Sequence, residues 1–562
     1  MRLLLNIKQF EMESITGAEI VVKTLEQQNV KQVFGIPGAK IDPVFDQLVD
    51  STIQLVVCRH EQNAAFMAAA IGRITGEPGV CMTTSGPGAT NLVTGLATAT
   101  TEGDPLVAIS GTVKRNELFK RTHQSLDAVS IMRPVSKMSV EIEDTTSIPE
   151  VLTRAFRTAN TPRKGATFVC LPNDVITEQA TVPLIPQQKI FNAGPAPQEY
   201  LQGAAELLIN ARLPVILAGE GAGDGEVVNA LRRLLDLLPI PIVGTFQATG
   251  IVPRELSNLL VGRVGLFQNQ PGDILLANAD VILTIGYDPV EYDPHMWNTT
   301  GISTIIHLDH SNSETDFYYQ PEIELIGNIA ASVKELTQLL KPKSLISYPQ
   351  IEKLNLLYVQ AKQKMPLPKR GERVHPLQFI NTLQKLIGDD VTVTCDIGSH
   401  YIWMARYFDS FEPRRLLFSN GQQTLGVALP WAIAAAMVNP HEKVVSISGD
   451  GGFLFSAMEL ETAVRLQSNI IHFVWTDGTY DMVGFQEVMK YGRSSGIDLG
   501  RIDVVKHAES YGATGFLVKD ALELETVMRK AMNIAGPVIV DIPIDYRDNI
   551  ELGKMLQNKI IL

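Results

Sequence analysis

Asp450 and Asp477 are the residues whose type and spacing most directly suggest chemistry. Asp450 lies in Gly449-Asp450-Gly451-Gly452-Phe453, directly after a short apolar run and directly before a helical pattern. In a parallel sheet this is the carboxyl end of a strand, where ligands bind. Glycines let the backbone approach a phosphate closely, and a following helix start offers free N–H groups. Asp450 cannot hold a diphosphate by itself, because like charges repel, but it can hold a hard divalent cation that bridges to one. A lone Gly-Asp-Gly is also a common structural turn. The second half is Thr476-Asp477-Gly478-Thr479-Tyr480, which follows one more helical pattern and one more apolar run. Carboxylates at the tips of successive strands of one βαβ unit can meet on a single cation. Magnesium and manganese both accept that oxygen set.

A third carboxylate, Glu61, stands in Arg59-His60-Glu61-Gln62-Asn63-Ala64-Ala65-Phe66-Met67, after a buried-strand candidate and at the start of an alanine-rich helix. On residues alone it is either a proton-transfer group or a charge that satisfies the helix dipole. Lys40, in a Pro-Gly-Ala-Lys turn, can pair with an incoming carboxylate or sit solvated. Ser399 and His400 follow Ile397-Gly398 at another strand end, where a capping role is the alternative to ligand contact.

The elements that must position these groups alternate short β-rich runs with longer helical patterns, the mark of parallel α/β sheets. The runs 32–35, 55–58, 79–83 and 106–110 read as strands of a first block, with helices over 17–28 and 42–49. Between 181 and 198 the composition shifts to Pro, Gln and Asn, which is linker chemistry. A second block has strand candidates at 214–219, 281–286 and 304–309. A polar stretch over 341–373 separates it from a third, with strands at 391–396, 444–449, 470–475 and 537–542 and a helix over 457–465. Three doubly wound α/β domains follow, bounded at 12–180, 198–342 and 373–550.

Composition limits the partners. The chain has 562 residues, 45% apolar and 19% charged, which is ample for several cores. A net charge of −13 argues against nucleic acid or an anionic membrane as the partner. No apolar stretch is long enough to span a bilayer. The N-terminal apolar cluster is too short for a signal peptide, and Met12 is an alternative start to Met1. Cys58, Cys81, Cys170 and Cys395 are scattered through apolar runs, so buried free thiols and a reducing cytoplasm are expected.

The Gly-Asp-Gly, followed one βαβ step later by Thr476-Asp477, resembles the signature of thiamine-diphosphate enzymes, in which an Asn pair holds the second place. The resemblance implies that Asp450, Asp477 and the backbone carbonyl of Thr479 hold Mg2+, or Mn2+. His60-Glu61 with its alanine-rich helix, then Thr84-Ser85-Gly86-Pro87-Gly88-Ala89-Thr90-Asn91, resembles the pyrimidine-binding domain of the same enzymes. Glu61 would there be the glutamate that activates the cofactor by proton exchange at the aminopyrimidine. Pro37, Thr84, Pro87 and Asn91 would be its neighbours. In the third block the implied cofactor residues are Gly398, Ser399, His400, Gln423, Leu425, Gly449, Gly451, Gly452, Tyr480, Asp481 and Met482. Leu425 would be the apolar wedge between the two cofactor rings, or else a plain core leucine. Gln124 would hydrogen-bond a substrate oxygen, or else sit as a loop glutamine.

Over nearly the whole chain the closest resemblance is to bacterial catabolic acetolactate synthases. It is carried by Phe34-Gly35-Ile36-Pro37-Gly38-Ala39-Lys40-Ile41-Asp42, Arg121-Thr122-His123-Gln124-Ser125-Leu126-Asp127 and Ile285-Gly286-Tyr287-Asp288-Pro289. It implies a pyruvate oxidase/decarboxylase-like architecture. The implied reaction condenses two pyruvates to 2-acetolactate with loss of CO2, through a hydroxyethyl-cofactor intermediate, and feeds acetoin formation. A homodimer at least, with a homotetramer expected, and no regulatory subunit are implied. The rivals are a biosynthetic acetohydroxyacid synthase with FAD, another thiamine-diphosphate decarboxylase or oxidase, and a non-catalytic protein that kept the fold. Tyr287 stands where flavin-binding relatives carry an arginine, so no FAD is expected. Gln422 stands where close relatives carry methionine, a departure that touches the acceptor pocket.

Overall fold

Residues 14–118, 120–188, 193–268, 270–340 and 349–557 are described by the structure, a computed structural model. The alternative starts Met1 and Met12, and the expected domain ends at 12 and 342, lie outside the described residues.

Three six-stranded sheets, each with parallel neighbours throughout, account for nearly all the strands. The first contains β1 (Gln32–Gly35), β2 (Gln54–Val57), β3 (Gly79–Thr83), β4 (Leu106–Thr112), β5 (Met138–Glu141) and β6 (Ala166–Pro172), in the order β2-β1-β3-β4-β6-β5. The second contains β7 (Pro214–Ala218), β8 (Ile242–Thr245), β9 (Leu260–Val264), β10 (Val281–Ile285), β11 (Thr304–Asp309) and β12 (Ile323–Ile326), in the order β9-β8-β7-β10-β11-β12. The third contains β13 (Val393–Cys395), β14 (Leu416–Leu417), β15 (Val444–Gly449), β16 (Ile470–Thr476), β17 (Thr514–Leu517) and β18 (Val538–Pro543), in the order β14-β13-β15-β16-β18-β17. The first and third sheets thus share one strand order. Central strands are buried on both faces, as every residue of β4 and β10 is, which is why they read as unbroken apolar runs rather than alternating ones.

The chain divides into two compact units, Met1–Ile190 and Phe191–Leu562, so the second and third sheets share a unit. Side chains tie those two sheets together. Arg232 donates to the Phe411 carbonyl, Arg263 to the Phe408 carbonyl, and Thr249 to the Leu416 carbonyl.

Local sequence sets the elements that carry the candidate site. Helix α1 (Glu61–Thr75) begins where His60 Nδ1 accepts the Gln62 N–H at 3.1 Å, which places Glu61 in its first turn. Its alanine face is buried, and Gly76, with φ of 81°, ends it. Helix α2 (Ser399–Tyr407) opens directly after the Gly398 turn that follows β13, and α3 (Asp450–Ser456) opens directly after β15. Helix α4 (Asp481–Tyr491) opens five residues after β16 and ends at Gly492, with φ of 73°.

Some expectations change. The helix expected over 457–465 is a 3-10 turn at Ala457–Glu459 followed by a helix at Leu460–Arg465. The polar separator contains a helix, Pro349–Gln363, held by the Tyr358 hydroxyl on the Arg406 carbonyl and by Lys362 on Asp409 at 2.6 Å. All four cysteines are buried and free, as expected.

Candidate functional site

In the second unit, a cavity of about 330 Å3 opens at the carboxyl ends of β13, β15 and β16. Its lining includes Gly398, Ser399, His400, Gln423, Leu425, Gly449, Asp450, Gly451, Gly452, Asp477, Thr479, Tyr480, Asp481 and Met482. These are all the third-block residues expected from the sequence to meet the cofactor or the metal. Strand register explains the meeting of the two metal candidates. Gly449 of β15 pairs with Trp475 of β16, so the residues just beyond them come level at one edge.

Asp450 is held rigidly, its carboxylate accepting the N–H groups of Gly478 at 2.7 Å and Gly451 at 2.9 Å. Asp477 accepts the Thr479 hydroxyl. That use of the side chain leaves the Thr479 backbone for another role. Its bridge to Asp498 is made through the flanking bonds of Tyr480 N to Ile497 and Leu499 N to Gly478. Burial pushes Asp450 up, and pushes Asp477 up to about 6, with the charges of Asp450 and Asp481 adding to the latter. Converging, partly desolvated carboxylates of this kind are the environment that a divalent cation relieves. No group of three or more His, Cys, Asp or Glu side chains with metal-binding geometry occurs among the described residues. A site built from two carboxylates and a backbone carbonyl is compatible with that.

The cavity also fits a group with phosphate oxygens. A Cβ added to Gly451 would lie 2.5 Å from the Tyr480 ring, and one added to Gly452 would lie 2.8 Å from Asp396 Oδ2, so only glycine permits this close packing. His400 is buried and pushed down to about 3 by that burial, and its Nε2 has no hydrogen-bond partner. An unpartnered polar atom of this kind at a cavity wall fits a ligand that carries hydrogen-bonding oxygens. Asp481 lies at the cavity wall, as expected. Its carboxylate is taken by the Ser399 hydroxyl and the Asn549 amide, and Asn549 in turn accepts Trp403 Nε1 at 2.7 Å. It therefore positions Ser399. Asp396, buried under the glycines, accepts the Gly426 N–H at 2.9 Å and so fixes Leu425 at the wall. Leu425 is half-buried, and Gln422 is exposed and does not line the cavity.

Sequence reading did not include Ile397, Val483, Gln486 and Tyr546, which also line the cavity. Val483 and Gln486 were within reach, because a helix opening at Asp481 turns 482, 483 and 486 to one side. Tyr546 comes from the loop after β18 and has no local signal.

The first unit holds the other candidates, near the carboxyl ends of its strands. Glu61 Oε2 accepts Asn91 Nδ2 at 2.9 Å, and Gly88 packs against Oε1. Gly38, following Pro37, packs so closely on Thr84 that a Cβ would meet it at 2.6 Å. Thr84 Oγ1 is itself buried without a partner. Gln124 has φ of 60°, and its Oε1 accepts the Ser85 hydroxyl at 3.1 Å. Pro87 is exposed at the start of the short helix Pro87–Thr90, and Lys40 is half-buried beside Gly111 through its backbone.

Residues 15–131, 201–336 and 396–542 match, in order, the N-terminal TPP binding domain, the central domain and the C-terminal TPP binding domain of thiamine pyrophosphate enzymes. An acetolactate synthase of Bacillus subtilis (strain 168) is 52% identical over 541 residues, 96% of this chain and 94% of that protein. This chain belongs to the acetolactate synthase family of thiamine pyrophosphate enzymes. A second member, the "Acetolactate synthase, catabolic" of Raoultella terrigena, is 46% identical over 97% of this chain and 98% of its own length. The acetolactate synthase isozyme 3 large subunit of Escherichia coli (strain K12) is more distant, 31% identical over 96% of each chain. Within this family the cavity edge built from β13, β15 and β16 falls in the C-terminal TPP binding domain, and Glu61 falls in the N-terminal one. No helix among the described residues is long and apolar enough to cross a membrane.

Proposed function

We propose that this protein condenses two molecules of pyruvate to 2-acetolactate with release of CO2, in the catabolic manner that feeds acetoin formation. The observation that carries the reading is the near full-length likeness to acetolactate synthases, at 52% and 46% identity, on a chain that carries Glu61, Asp450 and Asp477. Asp450, Asp477 and the Thr479 carbonyl hold Mg2+, or Mn2+ in its place. Gly398, Ser399, His400 and Gly449, Gly451 and Gly452 surround the diphosphate, and Gln423, Leu425, Tyr480 and Met482 surround the rings. Pro37, Thr84, Pro87 and Asn91 face the pyrimidine beside Glu61. When bound, thiamine diphosphate supplies the carbon nucleophile and electron sink that decarboxylation of a 2-oxo acid requires. Glu61 holds and moves a proton at Oε1, because Oε2 is committed to Asn91. Gln124 orients a substrate oxygen, and Lys40 meets a substrate carboxylate.

Domain boundaries at 12–180, 198–342 and 373–550, a cytoplasmic site, absence of FAD and absence of a regulatory subunit complete the proposal. The working molecule is at least a homodimer, and a homotetramer is expected. The test is product analysis from pyruvate with thiamine diphosphate and Mg2+ and no added flavin. Acetolactate is the expected product. Acetaldehyde or acetyl phosphate, or activity that appears only with FAD, would point to another member of the same enzymes.

A further inference from the structure

The strand order of the second sheet, β9-β8-β7-β10-β11-β12, is that of doubly wound sheets that take a dinucleotide across the switch point, here between β7 and β10. A glycine-rich turn, Gly219-Glu220-Gly221-Ala222-Gly223, follows β7 as such a site requires, and Gly286, with φ of 55°, follows β10. The donors that would meet a phosphate are already used. The Gly221 N–H donates to the Gly286 carbonyl at 2.9 Å, and the Glu220 N–H donates to Glu291 at 3.0 Å. The Asp288 N–H donates to Glu291 Oε1 at 3.1 Å, and the Thr245 hydroxyl, from the end of β8, bonds Oε2 at 2.5 Å. Glu291 is 3% exposed, and a Cβ on Gly219 would stand 2.6 Å from its Oε1. Its backbone carbonyl accepts Asn420 Nδ2 at 2.6 Å, and Asn420 Oδ1 accepts the Tyr401 hydroxyl. Asn420 begins the segment that brings Gln423 and Leu425 to the cofactor cavity.

We propose that the carboxyl group of Glu291 stands in for a nucleotide phosphate at this switch point, excluding a dinucleotide and pinning the loop that, through Asn420, positions the Gln423–Leu425 wall. Burial pushes Glu291 up to about 8, against the hydrogen bonds from Thr245, Glu220 and Asp288. A carboxyl group accepts the two backbone N–H groups in either protonation state, and the Thr245 hydroxyl donates or accepts to suit. Glu291 is on this account a positioning residue for the cofactor pocket. The alternative, an open dinucleotide site, requires the same N–H groups to be available.

The experiment is calorimetric titration of the full-length protein with FAD, ADP and thiamine diphosphate in Mg2+, a readout independent of turnover and so separable from failure of the acetolactate reading. Wild type is expected to bind neither FAD nor ADP saturably at millimolar concentration. Glu291→Ala is expected to lose about tenfold or more in thiamine diphosphate affinity, roughly 1.4 kcal/mol. Formate, which restores the missing carboxyl group to the cavity, should recover most of that loss. Glu291→Gln, which keeps an acceptor oxygen, should stay within about threefold of wild type. Stoichiometric FAD or ADP binding by wild type would overturn the proposal. So would a Glu291→Ala protein that binds thiamine diphosphate as wild type does, or one whose loss formate leaves unchanged. If Glu291→Ala does not fold, the wild-type titration and a Glu291→Gln loss above tenfold remain decisive against it.

Discussion

Glu61 and Asp450 are both fixed by hydrogen bonds within the protein, and their tests differ accordingly. Asn91 occupies one oxygen of Glu61, so the other is the atom on which the proton chemistry depends. Glu61→Gln keeps shape and removes the titrating group. It is expected to lower turnover by about a hundred- to ten-thousandfold, the usual worth of a positioned proton-transfer group, while thiamine diphosphate affinity changes little. Steady-state kinetics beside cofactor titration checks this, and a near-normal rate would assign Glu61 to the helix dipole instead. Asp450 accepts three backbone N–H groups, those of Gly478, Gly451 and Asp477, as well as facing the cavity, so Asp450→Ala should weaken Mg2+ binding by tenfold or more, about 1.4 kcal/mol. Asp481→Asn should act more mildly, by loosening Ser399, because its carboxylate is turned to Ser399 and Asn549. Calorimetry of Mg2+ and cofactor binding separates these two, and equal losses would contradict the positioning role of Asp481.

Elements carry two further expectations. Gly451→Ala puts a methyl group into the Tyr480 ring, and overpacking of this kind costs about 1–3 kcal/mol. The expected signature is a lower melting temperature with weakened cofactor binding, and an unchanged protein would show that the Gly451–Tyr480 contact yields without cost. In the second sheet, burial raises Asp273 from 3.8 to about 7 and Glu291 from 4.5 to about 8. Tyr292 and Gln270 bond Asp273, and Arg406 acts on it electrostatically. Folded-state values above the unfolded ones mean that the folded protein binds more protons between about pH 4 and 8. Stability should therefore fall as pH rises through that window and level off above it, and Asp273→Asn should flatten the slope. Denaturant unfolding at several pH values reads this directly. The same elements show what was legible. Strands such as Leu106–Thr112 and Val444–Gly449 announce themselves because both faces are buried. Leu260–Val264 does not, since it carries Arg263, a buried charge that the Phe408 carbonyl of a distant loop receives. Leu416–Leu417 is too short to show a period, and Thr514–Leu517 is a half-exposed edge. The helix Pro349–Gln363 has a weakly separated apolar face and depends on partners such as Arg406 and Asp409, which no local pattern reveals. At the site, glycines and carboxylates at strand ends were legible because ligand chemistry restricts them to those places. Tyr546 was not, because only the sheet brings it there.

At the scale of the whole molecule, a sheet order repeated in the first and third sheets places Glu61 at the carboxyl edge of one and Asp450 with Asp477 at the corresponding edge of the other. They belong to different compact units. The central claim, however, is the reaction itself, and a carbon balance on purified protein with pyruvate, thiamine diphosphate and Mg2+ tests it most directly. The account predicts two pyruvates consumed for each acetolactate and each CO2 formed, with no added flavin. One CO2 per pyruvate with acetaldehyde as the product, or no consumption of pyruvate at all, would contradict it.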